Sequence, residues 1–377
     1  MIKAWSYKQE YKILRKQILK TIDKSLKSGE IFFGNELKKF EKNFTSANKL
    51  KFGLAVGSGT DAIYIALMSL GVGIDDEVIT VSNTAIPTVS AIKSCGAKVK
   101  FVDVGADYLM DPNKIERYIS KKTKVIIPVH LYGHACDMDK ICKIAKKNKL
   151  KVIEDCAQAQ GAMYKNKFVG SFGDIGCFSF YPTKILGSYG DGGFASTNSL
   201  SLLNKMRRIR FYGIEKKDKK NKFLNKYYAN EHGINSRISE LQASILNLKL
   251  PKVKSYIFKR KKLAKKYNDE LKNTSLKLPY EKKNYKHVFH LYVVFHPKRN
   301  FIVKQLQKKN INVSINYPFP IHKMKAYKGS VCNDCDCLPF TEKYSNGIFS
   351  LPLYPDFKNR DLLKITSSLK KILLDMK

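Results

Sequence analysis

The sequence predicts an α/β protein of two lobes: a large one on a mostly parallel sheet flanked by helices, and a smaller C-terminal α+β one. Three observations carry this. Between residues 53 and 197, short apolar runs alternate with helix-spaced segments, the pattern of strand–helix–strand units. The chain has 377 residues, 44% of them hydrophobic, enough to bury a large core despite a net charge of +38. After about residue 200 the alternation stops and lysine-rich amphipathic segments take over.

The strands are expected at FGLAV (52–56), EVITVS (77–82), KVKFVDV (98–104), KVIIPVH (124–130), KVIED (151–155), IGCFSFY (175–181) and GGFAST (192–197). Helices fall between them, at Thr60–Leu70, Pro87–Cys95, Pro112–Ser120 and Asp137–Lys149. In the first of these, Ile63, Ala66, Leu67 and Leu70 share one face, as a helix of 3.6 residues per turn requires. Glu215–Lys226 reads as an exposed charged loop. Arg237–Leu250 reads as an amphipathic helix with Ile238, Leu241, Ile245 and Leu248 on one side, broken by Pro251. A lysine-rich helix to about Leu271, a strand at HVFHLYVVF (287–295), a helix at Asn300–Lys309, a strand at NVSINY (312–317) and a closing helix at Asp361–Leu374 complete the smaller lobe. The division is therefore expected at 1–250, N-terminal helix included, and 251–377.

Charge and cysteine content narrow the function classes. The 70 basic residues comprise 61 lysines and only nine arginines, spread over nearly every polar segment. Nucleic-acid sites lean on arginine for bidentate contacts, and no helix-turn-helix or zinc-finger pattern is present. The charge reads as the lysine-writing habit of an AT-rich genome. No apolar run of 18 residues and no apolar leader appear, so a cytoplasmic protein is expected. Five of the eight cysteines are scattered, as in a reduced compartment. Cys332, Cys335 and Cys337 form C-x2-C-x-C, half a metal site with no second pair at zinc spacing, and are expected as free thiols on a surface loop.

Three constellations carry chemistry. Gly57-Ser58-Gly59-Thr60-Asp61-Ala62 follows a strand and opens a helix, where free N–H groups suit a phosphate; a plain N-cap is the alternative. Asp155, in Glu154-Asp155-Cys156-Ala157-Gln158, ends an apolar strand, where parallel sheets place their ligands. A carboxylate there can keep a heteroaromatic nitrogen protonated, or cap the next helix. Lys184, in Ser179-Phe180-Tyr181-Pro182-Thr183-Lys184, stands between an apolar strand and the turn Gly190-Asp191-Gly192-Gly193. Desolvation would make it nucleophilic. A phosphate cradle, a carboxylate and an activated lysine together are what a pyridoxal phosphate site needs.

These motifs, with DCAQAQGA (155–162), GSFGDIGCFSFYPTK (170–184), NSRISELQA (235–243) and NYPFPIHKMKAY (316–327), resemble the DegT/DnrJ/EryC1/StrS sugar aminotransferases over nearly the whole chain. The resemblance implies the fold of the fold-type-I pyridoxal-phosphate transferases and pyridoxal 5'-phosphate as cofactor. It implies Lys184 as the Schiff-base lysine and proton carrier, Asp155 on the pyridine nitrogen, and Gln158 near the phenolic oxygen. Ser179 with the backbone of Gly59 and Thr60 would hold the phosphate. Asn235 would reach the cofactor phosphate of a neighbouring subunit, so a homodimer with shared sites is implied. Tyr317 and His322 either shape a sugar pocket or pack between the lobes. Arg237 either touches a substrate diphosphate or caps the dimer interface.

Two positions depart from the family pattern. Ala85 stands where many relatives carry an aromatic residue that stacks on the cofactor, and Ile185 follows the lysine where Asn or His is common. The family's C3-dehydrating branch carries His in place of the lysine, so Lys184 argues against it. The resemblance thus implies transamination of a nucleotide-linked keto sugar with glutamate as donor, for an amino sugar of a surface glycan such as lipopolysaccharide. SNTAIPTVSAI and NYPFPIH point to C3 of a dTDP-linked 3-keto-6-deoxyhexose, with C4 amination and UDP-sugars as alternatives. A non-enzymatic regulator or nucleic-acid-binding protein is the reading from a different class.

Overall fold

The computed structural model describes residues 1–214, 228–327 and 338–376. Two segments considered above, Glu215–Lys226 and the cysteines at 332, 335 and 337, lie outside these residues.

The elements run α1 (Lys8–Lys27), α2 (Asn35–Ala47), β1 (Phe52–Val56), α3 (Gly59–Ser69), β2 (Glu77–Val81), α4 (Ile86–Ser94), β3 (Lys98–Val102), β4 (Thr123–Ile126), α5 (Met138–Lys147), β5 (Lys151–Asp155), β6 (Met163–Tyr164), β7 (Lys167–Phe168), β8 (Ile175–Ser179), β9 (Gly193–Thr197) and α6 (Leu200–Ile209). After the undescribed stretch follow α7 (Glu240–Lys249), α8 (Val253–Leu271), β10 (Tyr285–Lys286), β11 (Tyr292–Phe295), α9 (Arg299–Lys308), α10 (Pro339–Gly347), β12 (Ile348–Leu351) and α11 (Asn359–Leu374). No helix among the described residues is long and apolar enough to cross a membrane.

The main sheet has seven strands in the order β1-β9-β8-β5-β4-β2-β3. β9 pairs antiparallel with both β1 and β8, and the remaining pairs are parallel. Six strands therefore point the same way, and the carboxyl ends of β1, β2, β5 and β8 share one edge, where such a sheet gathers its ligands. Strands buried on both faces explain the continuous apolar runs: β8 and β9 have no exposed residue. One core cluster joins α2 to one face through Phe40, Phe44, Phe178, Phe180 and Phe194. The other joins α3, α4 and α6 to the opposite face through Ile63, Leu67, Ile92 and Met206.

A charged residue also holds α2. The buried carboxylate of Glu240, at the start of α7, accepts from the N–H groups of Gly34 and Glu36, both at 2.8 Å, and Leu37 at 3.2 Å. These are the donors a helix start leaves without an intrahelical partner. A third core cluster, from Leu263 through Leu276, Tyr292, Leu306 and Phe349 to Leu369, is built on α8, α9, α11 and the β11–β12 pair.

Three expected elements differ. Pro112–Ser120 makes two short 3₁₀ turns, Pro112–Lys114 and Glu116–Tyr118, in place of an α-helix. The strand expected over 287–295 is confined to Tyr292–Phe295, because His287–Leu291 bend into contact with the 132–133 turn: Val288 N donates to Gly133 O at 3.0 Å and Leu291 N to Tyr132 O at 3.3 Å. Residues 312–317 form no strand; they meet β12 at one bridge, Ser314–Ser350, and through Asn316 Oδ1, which accepts from Ser350 Oγ at 3.3 Å. Short apolar runs carry no signal for which partner backbone competes for them.

Candidate active site

The site assembles at the carboxyl edge of the sheet. Asp155 is the last residue of β5 and 4% exposed. Its Oδ2 accepts from Thr88 Oγ1 at 2.8 Å and its Oδ1 from Ala157 N at 3.0 Å. Thr88 lies on α4, and Thr84 Oγ1 lies 3.2 Å from its hydroxyl. Thr84 and Thr88, in the connection after β2, thus prop the carboxylate from two strands away. Ala85 is the N-cap residue of α4.

Strand alternation sends the preceding residue the other way. Glu154, fully buried, accepts from Gly170 N and Phe172 N at 2.7 Å, Gly173 N at 2.8 Å and His130 Nε2 at 3.0 Å. His130 Nδ1 in turn accepts from Cys136 N at 3.0 Å, which assigns its proton to Nε2. His130, Glu154 and Cys156 cluster closely enough to suggest a metal. His130 and Glu154 are already matched to each other, to Cys136 N and to the 170–173 turn, so this pair is a fold-holding network.

β8 is the parallel neighbour of β5, with Cys177 opposite Asp155. The chain leaving it turns at Tyr181, whose carbonyl accepts from Lys184 N at 2.9 Å. The Lys184 side chain enters a cavity of about 330 Å³ whose walls include Gln158, Thr183, His290, Asn316 and Tyr317. Loss of water there pulls the Lys184 pKa down from its ordinary value to about 8, with the Asp155 carboxylate acting in the opposite sense. Burial likewise holds His290 well below the usual imidazole range, with Lys184 and Arg260 adding to the effect.

Gln158 is fixed at both ends: its Oε1 accepts from Tyr132 N at 2.8 Å, and its Nε2 donates to Tyr317 Oη at 3.0 Å. Burial raises the Tyr317 phenol above its ordinary range, with Asp155 adding to the rise.

The cradle is equally close-fitted. A Cβ on Gly59 would stand 2.7 Å from Cβ of Ser179, so only glycine lets the start of α3 lie against the end of β8. Ser58 caps that helix, its Oγ accepting from Asp61 N at 3.0 Å and its carbonyl from Ala62 N at 3.0 Å. The N–H groups of Gly59 and Thr60, with no intrahelical acceptor, are left for a ligand beside Ser179. Ser236 closes the loop, accepting from Gly57 N at 2.8 Å and donating to Asp61 Oδ2 at 2.6 Å.

Lys184, Asp155, Gln158, Tyr317, Ser179, Gly59 and Thr60 therefore gather on one edge of one chain. Asn235 lies exposed at the surface beside Ser236. Arg237 is half-buried, its guanidinium over the rings of Phe32 at 4.3 Å and Phe211 at 5.7 Å. His322 is packed away from the Lys184 cavity: its Nδ1 lies 2.7 Å from Ser82 Oγ, its Nε2 3.2 Å from Glu342, and its ring against Phe101. Sequence reading missed Thr88, Tyr132, Ser236 and His290. Thr88 and Ser236 lie inside quoted motifs, SNTAIPTVSAI and NSRISELQA, but only their tertiary neighbours give any of the four a role.

A pyridoxal phosphate fits this donor set. The cavity offers an amine of lowered pKa and an amide, and the sheet edge beyond it a buried carboxylate and backbone donors with a hydroxyl where a Cβ would intrude. The chemistry of Lys184 gives a test. Capture of the aldehyde needs the neutral amine, so in cofactor-free protein the capture rate should rise roughly tenfold between about pH 7 and pH 9 and then level off. Stopped-flow absorption after mixing with pyridoxal phosphate reads this; a rate still climbing tenfold per pH unit above about pH 9 would place the lysine at its ordinary value.

Comparison with known proteins agrees with the geometry. The sequence model of the DegT/DnrJ/EryC1/StrS aminotransferase family matches residues 12–370. The chain is 40% identical over 360 residues to the dTDP-3-amino-3,4,6-trideoxy-α-D-glucose transaminase of Micromonospora megalomicea subsp. nigra, covering 93% of each. It is 37% identical to the UDP-N-acetyl-3-dehydro-α-D-glucosamine 3-aminotransferase of Acidithiobacillus ferrooxidans, covering 96% of this chain and 95% of that one. Among solved structures, that of DesV of S. venezuelae in complex with a ketimine intermediate superposes with a TM-score of 0.92 at 33% identity, covering 98% of both chains.

Proposed function

Because the chain belongs to the DegT/DnrJ/EryC1/StrS aminotransferase family, we propose that it moves an amino group from glutamate to the C3 keto group of a dTDP-linked 3-keto-6-deoxyhexose. That it is a sugar aminotransferase using pyridoxal 5'-phosphate follows from the family itself. The carbon, the nucleotide and the donor are the proposal. The observation that carries the chemistry is a lysine of lowered pKa, in the turn just beyond β8, facing the electrostatic influence of a buried carboxylate at the end of the adjacent parallel strand β5, beside the Gly59–Ser179 contact. Naming of both sequence relatives for amination at C3 supports the position.

Placement supports the roles assigned here. Lys184, through its neutral amine, would hold the cofactor covalently and would carry the proton to and from the substrate carbon. Asp155, held by Thr88 and Ala157 N, keeps the ring nitrogen protonated. Gln158, fixed by Tyr132 and Tyr317, lies toward the phenolic oxygen. Ser179 and the N–H groups of Gly59 and Thr60 hold the phosphate. When bound, the cofactor supplies an electron sink for the carbon that loses its proton. Glutamate delivers its amino group in one half-reaction and the sugar takes it in the other.

We place this in a homodimer in which the partner subunit's Asn235 completes the phosphate site. The exposure of Asn235, and of Phe32 and Tyr181 on the surface, supports that arrangement. Arg237 and Tyr317 are assigned to substrate contacts, and His322, held by Ser82 and Glu342, to packing between the lobes.

Mass spectrometry of 3-keto and 4-keto sugars on dTDP and UDP, each incubated with the enzyme, pyridoxal phosphate and glutamate, tests the reading. The dTDP-linked 3-keto-6-deoxyhexose is expected to gain an amino group fastest. Faster amination of a 4-keto or UDP-linked sugar moves the assignment, and amination of none overturns it.

A further inference from the structure

The chain before α1 reaches across both lobes. Ile2 lies beside Ile311, its N–H donating to Asn310 O at 2.8 Å and its carbonyl accepting from Asn312 N at 2.9 Å. Five residues on, the ring of Tyr7 packs on Tyr189, with centroids 5.7 Å apart. Tyr189 is itself fixed, its N–H to Gln242 Oε1 at 3.0 Å and its hydroxyl to Glu10 at 3.2 Å. Tied at both ends, the intervening residues have little freedom, and Ala4 and Trp5 form part of the wall of the Lys184 cavity.

Trp5 is the single tryptophan of the chain. Its ring leans on Tyr7 at 5.7 Å and the residue is only half-buried, so part of its indole remains available to the cavity. The other walls are mixed: Gln158, Lys184, Asn316 and the hydroxyl of Tyr317 are polar, Leu291, Leu351 and Leu353 apolar, and the Trp5 indole is the broad aromatic face among them. Glutamate, with two carboxylates, gains nothing from an indole face. A 6-deoxyhexose presents a methyl group and ring C–H bonds, whose slight positive charge matches the electron-rich face of an aromatic ring.

We infer that the N-terminal strap is a specificity element of the site and that the Trp5 indole packs against the sugar ring of the nucleotide-linked substrate. The inference rests on the sugar-aminotransferase reading above. It assigns Trp5 to one half-reaction only, and the two halves can be measured apart.

Stopped-flow absorption of the holoenzyme reads the glutamate half-reaction, and the return with dTDP-linked keto sugar reads the other. Trp5→Ala is expected to slow the sugar half-reaction at low sugar concentration by about tenfold, leave the glutamate half-reaction within about twofold, and be largely rescued by Trp5→Phe. In wild-type holoenzyme, tryptophan emission should change on adding dTDP-linked 3-amino-6-deoxyhexose and not on adding dTDP alone. This second measurement stands even where the alanine variant fails to fold.

Equal slowing of both half-reactions, an unaffected sugar half-reaction, or emission that the amino-sugar nucleotide leaves unchanged overturns the assignment of Trp5. A wild-type enzyme that accepts glutamate but none of the sugar nucleotides gives a different pattern: it overturns the substrate class, and this inference with it.

Discussion

Replacing Lys184 with Ala is expected to abolish the visible absorption of covalently held cofactor and to lower turnover by at least about 10⁴-fold, since both the covalent link and the proton carrier are lost. The fold should survive. The turn at Lys184 is held by its backbone N–H to Tyr181 O, and its side chain borders a cavity, so truncation removes no packed core. Thermal unfolding of the cofactor-free variant should therefore stay within a few degrees of the wild-type apoprotein. Small primary amines should restore part of the activity by entering the space the side chain vacates. Retained absorption, or turnover within about tenfold of wild type, would remove Lys184 from its assigned role.

Asp155→Asn is the second large effect and separates from the first by its spectrum. The amide is nearly the same size and can still accept from Thr88 or Ala157 N, so the local structure should hold. It carries no charge and cannot keep a ring nitrogen protonated. Covalent capture by Lys184 should persist while both half-reactions slow by about 10²- to 10³-fold, the cost of removing one preorganised charge partner from a dry site. Single-turnover absorption measures this. A variant within about threefold of wild type in both halves would show that the carboxylate serves only as a structural acceptor, as Glu154 does one residue earlier on the same strand.

The contrast between Glu154 and Asp155 shows how far a sequence can be read. Both are acidic, adjacent and at a strand end. That Asp155 faces the ligand edge follows from its place at the end of an apolar strand in a parallel sheet. That Glu154 is wholly committed to the 170–173 turn and His130 follows from contacts up to 24 residues away, for which no local signal exists. Likewise the Gly57–Ala62 motif announces an anion cradle. The need for glycine at position 59 is visible only once Ser179, 120 residues later, is seen against it. Two of the misjudged elements are of the same kind: 287–291 and 312–317 are short segments whose backbone pairing was decided by distant partners, whereas Pro112–Ser120 closes local 3₁₀ turns in place of a helix.

Strand and helix periods, caps, the strand-end carboxylate and the lysine between an apolar strand and a glycine turn are local properties of the chain. They were enough to derive the mostly parallel sheet, its ligand edge and the core of the candidate site. The props of that site were decided in three dimensions: Thr88 under Asp155, Tyr132 and Tyr317 on Gln158, Ser236 over Gly57, and Trp5 across the cavity. These side chains have no distinctive sequence spacing. Their importance comes from which surface the packed core turns toward them, and dispersion and hydrogen bonding act over a few ångströms of space, however many residues of chain lie between.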